Sequence, residues 1–233
     1  MKLSIIIPCY NEEKTINILL DEVLKVDIGV VEKEIIIVDD SSTDKTLKLI
    51  ENKIKKKKNK NIFLLKNKKN HGKGYAIRKG LKKVTGDIII IQDADLEYNP
   101  KDYKKLIKPI ISGETKIVYG SRRLGKNNKR LYFLNWYGAI VLTFITNILY
   151  NAKITDEPTC YKTFKREVLD NINLKCEGFE FCPEITAKII KKGYNIKEVP
   201  ISYNPRTFKQ GKKINWKDGF QAVWTLIKYR FVD

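Results

Sequence analysis

Two aspartates one residue apart, Asp93 and Asp95, follow directly on the apolar run Ile88–Ile91. A run of β-branched residues predicts a buried strand, so both acids should lie at its carboxyl end, where open α/β sheets bind ligands. Two carboxylates so close cannot both be buried without a cation. We therefore expect a divalent ion with oxygen ligands, Mg²⁺ or Mn²⁺, that bridges to substrate phosphates. The alternative is a solvated loop after a strand.

Polar groups also follow the ends of other predicted strands. Pro8, Tyr10 and Glu12 come after the first strand, Asp40 after the second and Arg122 after the fifth. Because the carboxyl ends of parallel strands meet at one edge of a sheet, these loops should form a single site.

Two loops, the one that contains Asp40 and the one at 70–76, have both a functional and a structural interpretation. Asp40 is suited to accept hydrogen bonds from a ribose or a base, but Ser42 or Asp44 beside it can equally cap the next helix. The stretch 70–76, with Gly72 and Gly74, resembles a phosphate loop without the full Walker spacing. The alternative for this stretch is a glycine-rich helix start.

Arginines and lysines supply the counter-charges that phosphates need. Arg122 is predicted at the same edge as the acids, and Arg206 and Lys212 lie in a late loop that contains a glycine. The guanidinium fork matches phosphate geometry, so we expect these residues to bind phosphates. The alternative is ordinary surface charge in a basic protein.

The order of the elements predicts how these loops are brought together. Apolar strand candidates alternate with helical patterns at intervals of about 30 residues, as βαβ units require. Right-handed connections then give an α/β fold with a mostly parallel sheet and helices on both faces. The predicted strands are 3–7, 34–38, 62–65, 88–91 and 116–119, and the predicted helices are 13–24, 44–54, 73–84 and 102–111.

The second half of the chain is less regular. We predict a helix over 131–150, a turn over 157–162 that leads into a short strand, and a final amphipathic helix over 216–231. Phe220, Val223, Trp224 and Ile227 share one face of that last helix. The 233 residues favour a single domain.

Composition narrows the classes of partner. A formal charge of +19 points to polyanions: nucleic acid, an anionic membrane surface or phosphorylated substrates. Nucleic acid is disfavoured because aromatic residues do not interleave with the basic tract and the acidic strand ends would repel a phosphate backbone. The lone His71 leaves no basis for a histidine zinc site or a Ser-His-Asp triad. The four cysteines show no CxxC spacing and predict free thiols in a reducing compartment.

Residues 131–152 carry no charge. Their length suffices to span a bilayer, but polar residues interrupt the segment, so a buried helix or one at a membrane interface fits better.

Taken together, these motifs resemble those of the family 2 glycosyltransferases, and among them the polyprenyl- or dolichol-phosphate sugar synthases. The resemblance covers most of residues 3–218. It implies a GT-A fold, a nucleotide-diphosphate sugar donor of the GDP-mannose or UDP-glucose type, a divalent metal, and inversion at the anomeric carbon. The matching elements, in chain order, are 8–12, 38–42, Asn70 with 72–74, 92–98 with Pro100, 120–122, 200–201 with Tyr203, 205–206 and 211–214.

The resemblance also assigns roles residue by residue. Asp95 would ligate the metal with Glu97, and Asp93 and Ala94 would contact the ribose and diphosphate. Some relatives have Gln where this chain has Glu97, and the extra charge bears on how the metal is held. Arg122, Arg206 and Lys212 would bind phosphates. Residues 1–120 would form the donor half and 121–233 the acceptor half, and the nucleotide would be held by Pro8, Tyr10, Glu12, Val38 and Asp40.

The acceptor implied by the resemblance is a polyprenyl or dolichyl phosphate, whose oxygen is already ionised near neutral pH and needs no strong general base. A glycan hydroxyl acceptor would need one, and Asp156 and Glu184 are the candidates. Nucleotidyl transfer and nucleic-acid binding are further alternatives. We expect a cytoplasmic enzyme in peripheral contact with an anionic membrane surface.

Overall fold

Seven strands form one sheet in the part of the chain that the computed structural model describes, which is residues 1–57, 60–126, 128, 133–207, 211, 213 and 216–232. The order across the sheet is β3-β2-β1-β4-β6-β5-β7. Only β6, among these, runs antiparallel to its neighbours. The strands are β1 (Lys2–Cys9), β2 (Glu32–Asp39), β3 (Ile62–Lys66), β4 (Ile88–Ile91), β5 (Ile117–Ser121), β6 (Lys162–Lys165) and β7 (Lys197–Pro200).

Helices cover both faces of the sheet, as the sequence predicts. Ile5 and Ile7 of β1 pack into one core cluster and Ile6 into another, because successive side chains of a strand point to opposite faces. The helices are α1 (Ile16–Lys25), α2 (Thr46–Lys57), α3 (Lys73–Leu81), α4 (Tyr103–Ile111), α5 (Phe133–Tyr150), α6 (Arg166–Asp170), α7 (Phe181–Lys191) and α8 (Trp216–Phe231).

All the predicted strands and helices are present, with shifted ends that have local causes. Helix α1 begins at Ile16 rather than at residue 13, because the Glu12 carbonyl accepts the amides of Thr15 and Ile16 in a turn before the helix. Helix α2 begins at Thr46 because the Asp44 carboxylate accepts the Thr46 amide at 2.8 Å. The predicted turn into a short strand is also found, since β6 begins at Lys162.

Helix α8 spans the predicted residues but buries a different face. Ala222, Leu226 and Tyr229 pack against α5 and α7. Phe220 and Trp224, on the face that the apolar pattern would place against a core, are 72% and 65% exposed. The small Ala222 and the hydroxyl-bearing Thr225 are buried, and Phe220 and Trp224 are left outside.

Helix α5 has a similar division. Leu142, Thr146 and Tyr150 are buried, whereas Tyr137, Val141, Phe144 and Ile148 are exposed. None of the described helices is long and apolar enough to cross a membrane. Because α5 packs against α8, we refer to their exposed apolar residues together as the α5–α8 surface, namely Tyr137, Val141, Phe144, Ile148, Trp216, Phe220, Trp224, Ile227 and Phe231.

Candidate active site

The carboxyl ends of β1, β2, β4 and β5 meet at one edge of the sheet, as predicted. The reversed strand β6 adds to this edge the residues that precede it, among them Cys160, which the sequence analysis did not place there. Five predicted site residues line a common cavity at this edge, namely Asp93, Asp95, Glu97, Arg122 and Arg206.

The first acid of the pair, Asp93, has a fixed partner. Lys73, the first residue of α3, places its Nζ 2.6 Å from Asp93 Oδ1, and the two side chains are only 12% and 16% exposed. Burial would raise the pKa of Asp93, but the Lys73 ammonium holds it below its ordinary value. Lys73 also lies 2.9 Å from Cys160 Sγ. Sequence reasoning did not assign Lys73 to the site, since the contact joins residues 20 positions apart.

The second acid, Asp95, has a different cation beside it. Arg206 Nη2 lies 3.2 Å from Asp95 Oδ2, and Arg206 Nη1 lies 3.1 Å from both carboxylate oxygens of Glu12. Burial, together with the charges of Asp93 and Glu97, raises the pKa of Asp95 to about 7. Lys213 Nζ is 2.8 Å from Glu12. One cluster therefore contains three acids, Glu12, Asp95 and Glu97, and two cations of the late loop, Arg206 and Lys213.

Glu97 ties this late loop to the acid motif. Its carboxylate accepts the Tyr203 hydroxyl at 2.8 Å and the Arg206 amide at 2.9 Å, and its carbonyl accepts the Asn204 amide. These bonds give Glu97 a structural role beside the metal-ligating role that the resemblance implies. A carboxylate has about four acceptor sites, so the two roles are compatible.

The donor set suits a hard divalent cation with few protein ligands. No group of three or more His, Cys, Asp or Glu side chains is arranged to hold a metal within the described residues. Mg²⁺ commonly binds through one or two carboxylates and completes its shell with waters and substrate phosphates. Asp95 and Glu97 fit that pattern, and the guanidinium of Arg206 between Glu12 and Asp95 shows that these carboxylates attract a cation.

A buried polar network holds the base of the acid motif. Gln92, between β4 and Asp93, is fully buried, and its Oε1 accepts the hydroxyls of Tyr103 and Tyr161, both at 2.7 Å. Its Nε2 donates to the Asp93 carbonyl at 2.9 Å. Both acceptor sites of the amide oxygen and at least one amide hydrogen are therefore satisfied, which a buried amide requires.

The predicted nucleotide-contacting residues are at the expected strand ends. Pro8 and Val38 are paired in register across β1 and β2, and Tyr10 lies just beyond β1. Asp40 is nearly fully buried, and its carboxylate accepts Asn67 Nδ2 at 2.6 Å and the Gly72 amide at 2.7 Å, together with the His71 amide. Asp40 therefore holds the 67–72 segment in place, which the sequence analysis did not foresee.

Arg122 is held by a bidentate pair with Asp156. Arg122 Nε lies 2.7 Å from Asp156 Oδ2 and Arg122 Nη2 lies 2.6 Å from Asp156 Oδ1. The Tyr203 ring lies 5.2 Å from the guanidinium. Asp156 is thus occupied as a counter-ion, and Glu184 accepts the amides of residues 175 and 176 and pairs with Lys188. Neither predicted general-base candidate lines the cavity.

The phosphate-loop interpretation of residues 70–76 is wrong. The amides of Gly74 and Tyr75, which would face a phosphate, donate to the carbonyls of Gly178 and Glu177 at 3.1 and 2.9 Å. A Cβ on Gly72 would lie 2.6 Å from the Glu177 carbonyl oxygen, so the glycines serve close backbone packing. The structural alternative is correct, since the backbone of residues 177 and 178 takes up the amides of Gly74 and Tyr75.

We expect Gly72→Ala to destabilise the fold by about 2 kcal/mol or more, because it combines a φ of +104° with a backbone clash. Gly113→Ala is the matched control, since its φ of +76° has nothing within 4 Å. It should cost only the left-handed strain of about 1 kcal/mol. Urea unfolding measures both. Equal losses of stability in the two variants would show that the clash of the new Cβ with residue 177 adds no cost.

The cavity has a charged end and an apolar end. Its volume is about 710 Å³. The charged end holds Lys73, Asp93, Asp95 and Arg206, and the apolar end opens between α5 and α8. Asn135, which also lines the cavity, has a buried Nδ2 with no hydrogen-bond partner among the described residues. The apolar lining includes Trp136, Val141, Leu142, Pro183, Trp216, Phe220 and Val223.

The predicted phosphate ligand Lys212 lies outside the described residues, as does the neighbouring Lys209.

A family model described as glycosyl transferase family 2 matches residues 4–172, well over half of the chain. The chain belongs to glycosyltransferase family 2. Within the family, a UDP-N-acetylglucosamine–dolichyl-phosphate N-acetylglucosaminyltransferase of Methanococcus voltae is 31% identical over 239 residues, covering 96% of this chain and 94% of that protein. A dolichyl-phosphate beta-glucosyltransferase of Trichomonas vaginalis is 33% identical over 219 residues, covering 87% of this chain and 65% of that protein.

The fold of this family 2 enzyme is GT-A. Glucosyl-3-phosphoglycerate synthase from Mycobacterium tuberculosis, in complex with Mn²⁺ and UDP-glucose, matches all of this chain and 80% of its own length with a TM-score of 0.76 at 18% identity. The predicted fold, family and glycosyltransferase activity are thereby confirmed. The chain is a nucleotide-sugar glycosyltransferase similar to polyprenyl-phosphate sugar transferases.

Proposed function

We propose that this enzyme transfers a hexose, with inversion, from a nucleotide-diphosphate sugar to a polyprenyl or dolichyl phosphate. The observation that carries the proposal is the two-ended cavity, in which an apolar groove between α5 and α8 leads to a cluster of acids and cations. A lipid phosphate has matching chemistry, with a long apolar tail and one anionic head. The relatives named for dolichyl-phosphate transfer support the same acceptor.

On the donor side, the proposed roles follow from the contacts. Lys73 holds Asp93 ionised and in place, where Asp93 and Ala94 would contact the ribose and diphosphate. The nucleotide would be held at the neighbouring strand ends by Pro8, Tyr10, Glu12, Val38 and Asp40. Arg206 and Arg122 supply positive charge for the diphosphate, on which negative charge grows as the sugar leaves. Lys212 is proposed to assist them.

Asp95 and Glu97 would hold Mg²⁺ or Mn²⁺. When bound, such an ion would stabilise charge on the leaving diphosphate as a Lewis acid. In the protein alone, burial and then the charges of Asp93 and Glu97 raise the pKa of Asp95 to about 7. A bound divalent cation would offset both effects.

The acceptor side explains why no general base is needed. A phosphate monoester oxygen is ionised near neutral pH and attacks without losing a proton. Among the described residues that line the cavity, the carboxylates all belong to the acid motif except Asp218, which lies at the apolar end. A glycan hydroxyl acceptor remains the alternative, but its candidate bases, Asp156 and Glu184, are both engaged elsewhere.

We also propose that residues 1–120 serve the donor and residues 121–233 the acceptor, and that the α5–α8 surface rests on an anionic membrane at the cytoplasmic face. The cavity opens between the same two helices, so a lipid acceptor would enter without crossing water. All four cysteines are free thiols, as predicted, which agrees with a reducing compartment.

The test is a donor screen with a short polyprenyl phosphate. GDP- and UDP-hexoses are offered with Mg²⁺ or Mn²⁺, and a lipid-linked product is measured by mass spectrometry. The same donors are offered with an unphosphorylated polyprenol and with an oligosaccharide. We expect transfer only to the phosphate. Transfer only to the oligosaccharide would replace the lipid-phosphate proposal with the glycan alternative.

A further inference from the structure

Arg206 occupies the place between the acids where a metal ion would be needed. Its guanidinium contacts Glu12 at 3.1 Å and Asp95 at 3.2 Å, and its Nε lies 3.9 Å from Glu97. The side chain is 13% exposed, so its charge acts on the carboxylates with little screening by water. Arg206 therefore neutralises the same carboxylates that the proposed metal site would use.

The two cations of the acid motif differ in how firmly they are held. Lys73 starts a regular helix and pairs with Asp93, which Gln92 holds from below. Arg206 lies in an irregular segment, and its buried Nε has no hydrogen-bond partner among the described residues. An unpaired buried donor costs free energy, so Arg206 is not in its best-satisfied position. Of the two, Arg206 is the cation suited to leave.

We propose that Arg206 is an exchangeable counter-ion: it competes with the divalent metal for Asp95, and it moves to the donor diphosphate when the metal binds. The proposal rests on the metal site of the proposed function and adds an order of events to it. A metal ion and a guanidinium at the same carboxylates repel each other, so each weakens the binding of the other by the same factor. The released guanidinium then meets a diphosphate, whose geometry suits its fork.

The competition gives Arg206→Gln two effects of opposite sign. Without nucleotide, the variant should bind Mn²⁺ about tenfold more tightly than the parent, since a competitor is removed. With metal present, it should bind the nucleoside diphosphate more weakly, since a phosphate ligand is lost. A residue that served only structure, or only the diphosphate, would not tighten metal binding. Arg206→Lys keeps the charge and should bind metal close to the parent level.

The measurement is Mn²⁺ titration by electron paramagnetic resonance, without donor or acceptor, so the result does not depend on which sugar or acceptor the enzyme uses. Lys192→Gln is the charge-matched control, because Lys192 is exposed at the end of α7 and does not line the cavity. It should leave Mn²⁺ affinity unchanged. Equal or weaker Mn²⁺ binding by Arg206→Gln would overturn the proposal, and so would equal tightening in Lys192→Gln.

A second measurement uses the unmutated protein and holds even if the variant fails to fold. Because the Arg206 and Asn204 amides donate to Glu97, displacement of Arg206 should expose them. Hydrogen exchange of residues 203–207 should therefore speed up when Mn²⁺ alone is added. Slower or unchanged exchange there would contradict the displacement. Failure of sugar transfer to polyprenyl phosphate, with both metal results as expected, would overturn the acceptor and leave this inference intact.

Discussion

Asp95→Asn is expected to reduce sugar transfer by on the order of 10² or more while the fold is retained. The substitution keeps the shape of the side chain and the oxygen that accepts the Glu97 amide at 3.1 Å, but it removes the charge that a divalent ion requires. Steady-state kinetics in saturating Mg²⁺ measure the loss. Near-normal turnover in that condition would rule out Asp95 as a metal ligand.

Stability provides the internal check on this variant. Burial first, and then the charges of Asp93 and Glu97, raise the pKa of Asp95 to about 7 in the metal-free protein. The free energy of unfolding therefore falls as the pH rises from the ordinary aspartate value near 3.8 to about 7, because over that range the folded protein keeps a proton that the unfolded chain has lost. At pH 8 without metal, Asp95→Asn should melt at or above the parent temperature. Asp27→Asn, at an exposed carboxylate paired with Lys104, is the control and should leave transfer unchanged.

A triple substitution on the α5–α8 surface, Phe144→Ser with Trp224→Ser and Phe231→Ser, is expected to weaken binding to anionic vesicles by on the order of 10³. Each large apolar side chain contributes about 1.5–3 kcal/mol when it is fully buried, and three together exceed the loss needed. All three are exposed in the protein alone, and none lines the active-site cavity. Sedimentation with vesicles therefore reports docking separately from acceptor binding.

The control removes three exposed apolar side chains that lie elsewhere on the protein. Ile18, Val30 and Ile111 are also exposed, but lie on other elements, and their replacement by Ser should leave vesicle binding unchanged. Sedimentation at rising salt separates attraction to the +19 charge, which salt screens, from apolar insertion, which it does not. Binding that vanishes at high salt would mean that the surface does not insert. Absence of binding by the parent at low salt would favour the glycan-hydroxyl acceptor.

Much of the sheet and the position of the acids follow from local patterns. Ile88–Ile91 is apolar on both faces because β4 lies between helix layers, and a strand of this kind must end where its acids begin. From the βαβ period, the meeting of the strand ends at one edge can then be predicted even when no tertiary contact is known. The helix ends shifted because capping by Glu12 and Asp44 depends on local geometry that periodicity does not describe.

The remaining features depend on tertiary pairing. Lys73 and Gly72 belong to one stretch, yet Lys73 enters the site and Gly72 packs against residue 177, and no local signal separates the two. In α8, periodicity showed that Phe220 and Trp224 share a face, but which face is covered depends on where α5 and α7 lie. The pairing of Arg122 with Asp156 likewise joins residues 34 positions apart.

The amide of Gln92 has a consequence for the thermodynamics of donor binding. Two tyrosine hydroxyls and the Asp93 carbonyl fix it from three directions, so the backbone beneath the acids has lost its conformational freedom before any nucleotide arrives. Arg206 lies on an irregular segment, and under the proposed exchange it would change partners when the metal and the donor bind. The conformational entropy lost on donor binding would thus fall mainly on the side of the pocket that carries Arg206, while the side held by Gln92 behaves as a rigid template.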